Sequence, residues 1–422
     1  MPYPTTMLDE SLHLLPETTL GGMPINLTAP PACLRADGHL GVVYPACLAA
    51  ERLHRWPEPY DKLFETRSVI TPAGDYLVVA TAGKAHYGGQ PATEKLNDLF
   101  AYRSSDRGAT WSGPSILWDV PFNQHGFVPL IPRGTSRIYA FGTQPMAGRY
   151  NGVENAVIGY RYSDDDGFHW SELELIEPQN DPDYQGMSVI QMTETESGVW
   201  LLGSHTGTSY FAYEEDGQTR YNARSRQYIL RSADQGQSWT LVPGARPNGW
   251  YLPQFDRMDE IRPLSLGGAK VLALVRTCEG HVWALRSDDD GQSWSAPQPT
   301  PLVHPDAPPM LFKLGDGHTL ACFHHNRHTG CAFNRADRSE LWVSLSVDEG
   351  ETWEEPRFVI ANADATPRPI WGEEQEFCVS YVDLLVDGDD LHLFVPHRFR
   401  QLLHLRFTEK DLRSLPTRKD LQ

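Results

Sequence analysis

The sequence has little of what marks several large classes of protein. Its six cysteines are scattered over 422 residues, without the spacing of a small disulfide-bonded scaffold, and we interpret them mostly as free thiols. No stretch approaches the roughly 18 consecutive apolar residues that a membrane-spanning helix requires. Acidic residues outnumber basic ones, and the formal charge of −19 repels phosphate, so neither nucleic acid nor a membrane is an expected partner.

Signals for export and for helices are also sparse. The first twenty residues, MPYPTTMLDESLHLLPETTL, contain neither a basic start nor an apolar run, which favours a cytoplasmic protein. The 33 prolines and 35 glycines are spread through the chain, as many short strands joined by turns would require. The composition therefore predicts an all-β fold.

The most regular feature is an eight-residue phrase, Ser-x-Asp-x-Gly-x-x-Trp, which occurs five times. Its aspartate can accept hydrogen bonds from turn amides, its glycine can adopt a positive φ, and its tryptophan can anchor the turn. Because a hairpin turn explains these residues, we interpret the acids as structural rather than catalytic. The copies, whose aspartates are 55 to 69 residues apart, are 104–111 (SSDRGATW), 163–170 (SDDDGFHW), 232–239 (SADQGQSW), 287–294 (SDDDGQSW) and 346–353 (SVDEGETW).

A second repeat gives the number of structural units. A short apolar run of strand type follows a turn six times, and each of the first five runs precedes one copy of the phrase. Repeats of this length predict a six-bladed β-propeller. The runs are 77–81 (LVVAT), 138–142 (IYAFG), 199–203 (VWLLG), 270–275 (KVLALV), 319–323 (TLACF) and 391–395 (LHLFV).

We expect a strand from the N-terminal segment to close the ring, because an open ring would leave an unpaired sheet edge. The best candidate is 39–44 (HLGVVY). The predicted organisation is an N-terminal segment, 1–62, a propeller, 63–408, and a C-terminal tail, 409–422, all within one domain. Residues 409–416 (EKDLRSLP) predict a short turn or helix.

Three arginines lie beside apolar runs, where turn chemistry does not explain them. Arg67 stands just before the first run, Arg276 directly follows the run 270–275, and Arg338 opens the strand before the last phrase. Three guanidinium groups that converge at the mouth of a propeller tunnel would form a good receptor for a carboxylate. For each arginine alone, pairing with a buried carboxylate is the alternative.

With these motifs the chain resembles the sialidase (neuraminidase) superfamily from about residue 67 to residue 407, and the repeated phrase looks like that family's Asp-box. Three arginines in the family hold the carboxylate of the sugar. The resemblance gives that role to Arg67, Arg276 and Arg338, although the family's Arg-Ile-Pro is Arg-Ser-Val at the first of them.

The resemblance also implies the catalytic residues. The family uses a tyrosine nucleophile activated by a glutamate, and an aspartate as acid and base. The matching positions are Tyr381, Glu260, which lies sixteen residues before Arg276, and Asp98, with Asp75 as an alternative acid. A neutral phenol suits a substrate whose own carboxylate would repel an anionic nucleophile. The resemblance thus implies an exo-acting glycoside hydrolase of sialidase type that removes a terminal carboxylated sugar and needs no cofactor.

Histidines at strand ends and in loops extend the predicted substrate site and keep other hypotheses open. A histidine-rich site would also suit a propeller polysaccharide lyase that acts on uronates, and a non-catalytic glycan-binding propeller needs no acid or nucleophile. A weaker hypothesis is a zinc site, whose spacing matches no standard finger. The further substrate-binding candidates are His125, His304, Asp306, His324 and His397. The zinc candidates are Cys278, His281, His324 and Cys331.

Overall fold

The protein is a six-bladed β-propeller, as the repeats predict. Each blade is a four-stranded antiparallel sheet, and the first strands of neighbouring blades pack against one another around a central axis. The computed structural model describes residues 18–20, 23–25, 50–55, 62–83, 97–120, 126–144, 156–215, 218–328, 335–338, 340–361, 379–397, 401–417 and 419–420. No helix of this described part is long and apolar enough to cross a membrane.

The strands of each blade follow one another from the axis to the rim. Blade 1 has Lys62–Ile70, Tyr76–Gly83, Asn97–Ser104 and Ser112–Val120; blade 2 has Val128–Leu130, Ile138–Gln144, Val157–Ser163 and Glu174–Leu175; blade 3 has Ser188–Glu194, Trp200–Glu215, Gln218–Ser232 and Thr240–Val242. Blade 4 has Asp259–Gly267, Lys270–Arg276, His281–Ser287 and Gln298–Val303; blade 5 has Met310–Lys313, Leu320–His324, Glu340–Ser346 and Arg357–Ala361; blade 6 has Asp383–Asp387, Asp390–His397, Gln401–Thr408 and Ala50–Arg55.

An N-terminal strand closes the ring, but it is not the one that the sequence favoured. The outermost strand of blade 6 is Ala50–Arg55, which pairs with Gln401–Thr408. The candidate 39–44 lies outside the described residues.

Among the described residues, three short elements accompany the blades. A two-stranded hairpin joins Thr18–Leu20 to Met23–Ile25, and a 3-10 helix, Arg335–Arg338, precedes the third strand of blade 5. The α-helix Glu409–Ser414 follows the third strand of blade 6, where the other blades have an Asp-box. The predicted C-terminal turn or helix is therefore a helix.

The six apolar runs are the second strands of the blades, and they are buried on both faces. In blade 1, Tyr76 and Val78 pack against blade 6, whereas Leu77 and Val79 pack against blade 2. Side chains alternate between the faces of a strand, so a strand between two other blades needs apolar residues at every position. The core of the described part is accordingly divided into six clusters, one for each contact between blades.

Each Asp-box forms the turn between the third and fourth strands of its blade. In the fourth box, Asp289 accepts from the hydroxyl of Ser287 at 2.8 Å and from the backbone amide of Ser293 at 2.8 Å. Asp290 and Gly291 have φ values of 56° and 73°, and a Cβ on Gly291 would lie 2.6 Å from Leu201 of blade 3. The aspartate of the phrase therefore holds the turn, and the glycine both adopts a positive φ and leaves room for the neighbouring blade.

Candidate functional site

Four of the residues that the sequence singled out, Asp98, Glu260, Arg276 and Tyr381, lie at one end of the propeller, and the Asp-boxes lie at the other, together with the alternative acid Asp75. In blade 4, Glu260 is near the start of the first strand and Arg276 ends the second strand, whereas the Asp-box follows the end of the third. Successive strands are antiparallel, so starts of odd strands and ends of even strands share one end of the blade. The box acids are thus separated from the candidate site by the length of a strand.

Tyr381 and Glu260 form a buried pair at this end. The phenol hydroxyl of Tyr381 donates to Oε1 of Glu260 at 3.3 Å, and each residue is 3% exposed. Tyr381 stands just before the first strand of blade 6, and Glu260 lies at a β-bulge in the first strand of blade 4. The bulge changes the direction of the Glu260 side chain, which lets the two residues meet from different blades.

Both members of the pair have a strained backbone. Glu260 has a φ of 52° and Tyr381 has a φ of 61°, in the left-handed region that side chains rarely adopt. Backbone strain of this kind costs about 1–3 kcal/mol per residue and concentrates at functional sites. The backbone amide of Glu260 also donates to Nδ1 of His205 at 3.2 Å, which helps to hold this conformation.

Arg276 joins the pair to a carboxylate cluster. Its Nη1 donates to Oε2 of Glu260 at 2.5 Å, and its Nε donates to Oδ1 of Asp306 at 2.8 Å. Arg257 donates to Asp306 at 3.1 Å and to Asp259 at 2.9 Å. A guanidinium of Arg338 donates to the backbone carbonyl of Asp306. Asp306 is therefore the residue at which three arginines meet.

The charges of this cluster determine its protonation. Burial alone would raise the pKa of Asp306, but Arg257 and Arg276 lower it overall, so this carboxylate is ionised. Burial raises the pKa of Asp259 despite the same two arginines. Asp259 is thus the member of the cluster that binds a proton more readily.

Arg67 lies elsewhere on the tunnel wall. It lies on the first strand of blade 1, before the apolar run 77–81 as predicted, and it forms an ion pair with Glu65. Its guanidinium also donates to the carbonyls of Thr66, at 2.7 Å, and of Ile190 in blade 3, at 2.9 Å. The structure therefore brings Arg276 and Arg338 together at Asp306 and gives Arg67 a different set of partners.

Of the three other predicted residues, two lie at the same end of the propeller as Glu260. Asp98 is the second residue of the third strand of blade 1, at the same end as Glu260, and is 2% exposed. His397 ends the second strand of blade 6, also at this end, and its side chain lies outside the described part. His125 lies outside the described residues.

The predicted histidines of blades 4 and 5 are structural in this arrangement. His304 accepts from the amide of His325 and contacts the carbonyl of Ala307, and its ring stacks on that of His325 at 5.2 Å. His324 contacts the carbonyl of Val303 and the hydroxyl of Ser344. Both nitrogens of His304 and of His324 are therefore used within the fold.

Acid is expected to destabilise the protein through these buried rings. Burial lowers the pKa of His324 to about 4 and that of His325 to about 3, whereas an unfolded histidine has a pKa of about 6.5. Below that pH the unfolded chain binds protons that the folded chain does not. As the pH falls from about 6 to about 4, the two rings together should therefore lower the free energy of unfolding by about 3 kcal/mol per pH unit.

Urea unfolding at a series of pH values measures this slope. Replacement of His325 by glutamine should reduce it, and replacement of the exposed His318 should leave it unchanged. A slope that His325→Gln does not alter would contradict a neutral buried ring.

The zinc candidates do not converge in the part of the chain that the structure describes, which contains no metal-type group of three or more His, Cys, Asp and Glu side chains. Cys278 is buried and forms no disulfide, and His281 lies 3.4 Å from Glu279. His324 has the two partners given above. Cys331 lies outside the described residues.

Sequence reasoning missed Arg257 and Asp259 as members of the site. Both belong to the segment 257–262 (RMDEIR), in which four of six residues are charged directly at the start of a buried strand. This density of charge beside an inner strand was the available signal, because isolated charges are rarely buried unless they are paired.

Comparison with known proteins agrees with this architecture. A model of the BNR repeat-like domain family matches residues 128–393, more than half of the chain. The chain belongs to the BNR repeat-like domain family. The resemblance to Asp-box proteins of the sialidase superfamily is confirmed in its repeat and in its fold.

Solved structures with the same fold as this BNR protein include several sialidases. A Hadza microbial sialidase, Hz136, has a TM-score of 0.57 and 17% identity, with 83% of this chain and 66% of that chain covered. An intramolecular trans-sialidase from Ruminococcus gnavus has a TM-score of 0.55 and 14% identity over 84% of this chain and 96% of that chain.

A curated relative of this BNR protein is a Paenibacillus sp xyloglucanase, which is 26% identical over 218 residues. The match covers 48% of this chain and 19% of that protein. The matched half of the chain therefore spans about a fifth of the length of the relative.

Proposed function

We propose that this BNR protein is a glycosidase of sialidase type, which removes a terminal carboxylated sugar from a glycoconjugate. The observation that carries the proposal is the buried contact between Tyr381 and Glu260, whose second carboxylate oxygen binds Arg276. A tyrosine beside a carboxylate provides a nucleophile and its base, which is the arrangement that sialidases use in place of two carboxylates.

In this mechanism Glu260 takes the proton of the Tyr381 hydroxyl as the phenol oxygen attacks the anomeric carbon. Arg276 fixes the orientation of Glu260 and carries positive charge toward the sugar carboxylate. Asp98, at the same end of the propeller, protonates the leaving oxygen and later activates water. Water then releases the sugar from Tyr381.

A second candidate is a glycosidase for neutral glycans. Two arginines, Arg257 and Arg276, already contact carboxylates of the protein. These carboxylates, which belong to Asp259, Glu260 and Asp306, neutralise positive charge that a sugar carboxylate would otherwise bind. The partial similarity to a xyloglucanase is consistent with a neutral substrate.

The lyase alternative has less support, because His304 and His324 use both ring nitrogens within the fold. Proton abstraction needs a ring nitrogen that can reach the substrate.

Three assays on the purified protein separate these functions. A fluorogenic sialic acid glycoside tests the proposal, release of reducing ends from xyloglucan tests the neutral-glycan candidate, and absorbance of unsaturated products from uronate polymers tests elimination. We expect turnover of the sialoside alone. Activity on xyloglucan or on uronates without sialoside turnover would overturn the proposal, and inactivity on all three would favour glycan binding.

A further inference from the structure

The axial tunnel holds a buried arginine that the proposed mechanism does not use. Arg262 lies on the first strand of blade 4 and is 1% exposed. Its Nη1 donates to Oε1 of Gln191, on the first strand of blade 3, at 3.2 Å. Its Nε and Nη2 are buried, and no described residue accepts a hydrogen bond from either atom.

The two unpartnered atoms define one binding edge. Nε and Nη2 lie on the same side of a planar guanidinium, so their hydrogens point in parallel toward a single acceptor or a pair of oxygens. A buried donor without an acceptor costs about 1–3 kcal/mol, and more when it is charged. The edge of Arg262 therefore has both the geometry and the energetic reason to bind an acceptor.

Each acidic neighbour of Arg262 is engaged by another residue. Glu65 pairs with Arg67, whose guanidinium on the first strand of blade 1 adds a second positive charge beside Arg262. Asp383, on the first strand of blade 6, accepts from the amide and the hydroxyl of Ser68 at 2.6 and 2.5 Å. Burial raises the pKa of Asp383 despite Arg67 and Arg262. Glu260, the third acidic neighbour, is bound to Arg276.

Burial, with a smaller effect from Arg67, lowers the pKa of Arg262 to about 9. The group is still protonated at neutral pH, so its charge has to be balanced within the tunnel.

We propose that the Nε–Nη2 edge of Arg262 binds one small monovalent anion in the axial tunnel. Chloride from solvent and the carboxylate of a bound sugar acid are both monovalent anions that accept hydrogen bonds. The near-complete burial of Arg262 favours chloride, because a sugar is much larger than a chloride ion and the side chain of Arg262 is only 1% exposed. The inference goes beyond the proposed function and does not depend on it.

Bromide crystallography tests the site directly. Crystals of the full chain grown in sodium bromide should show an anomalous peak within hydrogen-bond distance of Nε and Nη2 of Arg262. A map with bromide peaks elsewhere and none at Arg262 would overturn the proposal.

The source of the anion is distinguished in the same crystals. A soak with sialic acid that leaves the bromide peak in place assigns the site to a solvent anion. Replacement of the bromide peak by the carboxylate of the sugar assigns the site to the sugar acid. That result also supports an anion-binding edge on Arg262.

Thermal unfolding provides a second test in solution. At constant ionic strength, with methanesulfonate as the replacement anion, the melting temperature should rise by about 3 °C from about 1 to about 100 mM chloride if half-saturation lies near 1 mM. Arg262→Met should remove this rise, and it should not destabilise the chloride-free protein, because the variant no longer buries an unbalanced charge.

Arg107, which is 62% exposed, supplies the matched control, and Arg107→Met should keep the chloride dependence. A chloride response that persists in Arg262→Met would overturn the proposal, and so would the absence of a response in the unaltered protein.

Discussion

Replacement of Tyr381 by phenylalanine should lower kcat for a fluorogenic sialoside by about 10³-fold or more, because it removes the attacking oxygen. The same change should lower the free energy of unfolding by only about 1 kcal/mol, since the variant loses one hydrogen bond and Glu260 keeps its contact with Arg276. Steady-state kinetics and thermal unfolding of the two proteins measure both effects.

Tyr76 provides the matched control for this prediction. Its hydroxyl donates to the carboxylate of Asp387 at 2.5 Å, so it repeats the tyrosine–carboxylate contact at a different place in the propeller. Tyr76→Phe should leave kcat unchanged. If Tyr381→Phe kept most of its kcat, the phenol would not be the nucleophile, and a carboxylate of the cluster would have to take that role.

The ring and its blades follow from local sequence signals. Each Asp-box is fixed by residues within eight positions of one another, and each second strand by a run of five or six mostly apolar residues, so both can be read without knowledge of distant contacts. The rim strand Ala50–Arg55 could not be recognised in this way. Its pairing with Gln401–Thr408 joins the two ends of the chain.

Part of the candidate site could be predicted from the sequence. Arg276 was singled out by its place at the end of an apolar run, and the resemblance to sialidases implied Glu260 and Tyr381. The structure brings Glu260 into contact with both of the others. The partners of Asp306 were not predictable, because Asp306 lies between blades 4 and 5, whereas Arg257 and Arg276 stand 49 and 30 residues earlier in the chain. Contacts over such distances depend on the tertiary structure and leave no local pattern.

The second large effect is expected at Asp306, which bridges Arg257 and Arg276 in the buried cluster. Asp306→Asn preserves the shape of the side chain but leaves two guanidinium groups without this charge partner. Removing one partner from a buried ion pair destabilises a protein by about 3–5 kcal/mol, because the remaining charge stays desolvated. Urea unfolding at neutral pH should show a loss of this size.

Asp256 provides a control, because its carboxylate also contacts two arginines but is more exposed to solvent. Its carboxylate also bridges two arginines, Arg224 and Arg226, at 2.8 and 2.5 Å, but it is about one-third exposed. Asp256→Asn should therefore cost less than about 1 kcal/mol. Because the two aspartates differ mainly in burial, a large loss at Asp306 alone identifies desolvation as the cause. If Asp306→Asn lowered the free energy of unfolding no more than Asp256→Asn, water would have to reach the cluster. The arginines could then bind a sugar carboxylate while they keep their contacts with Asp306.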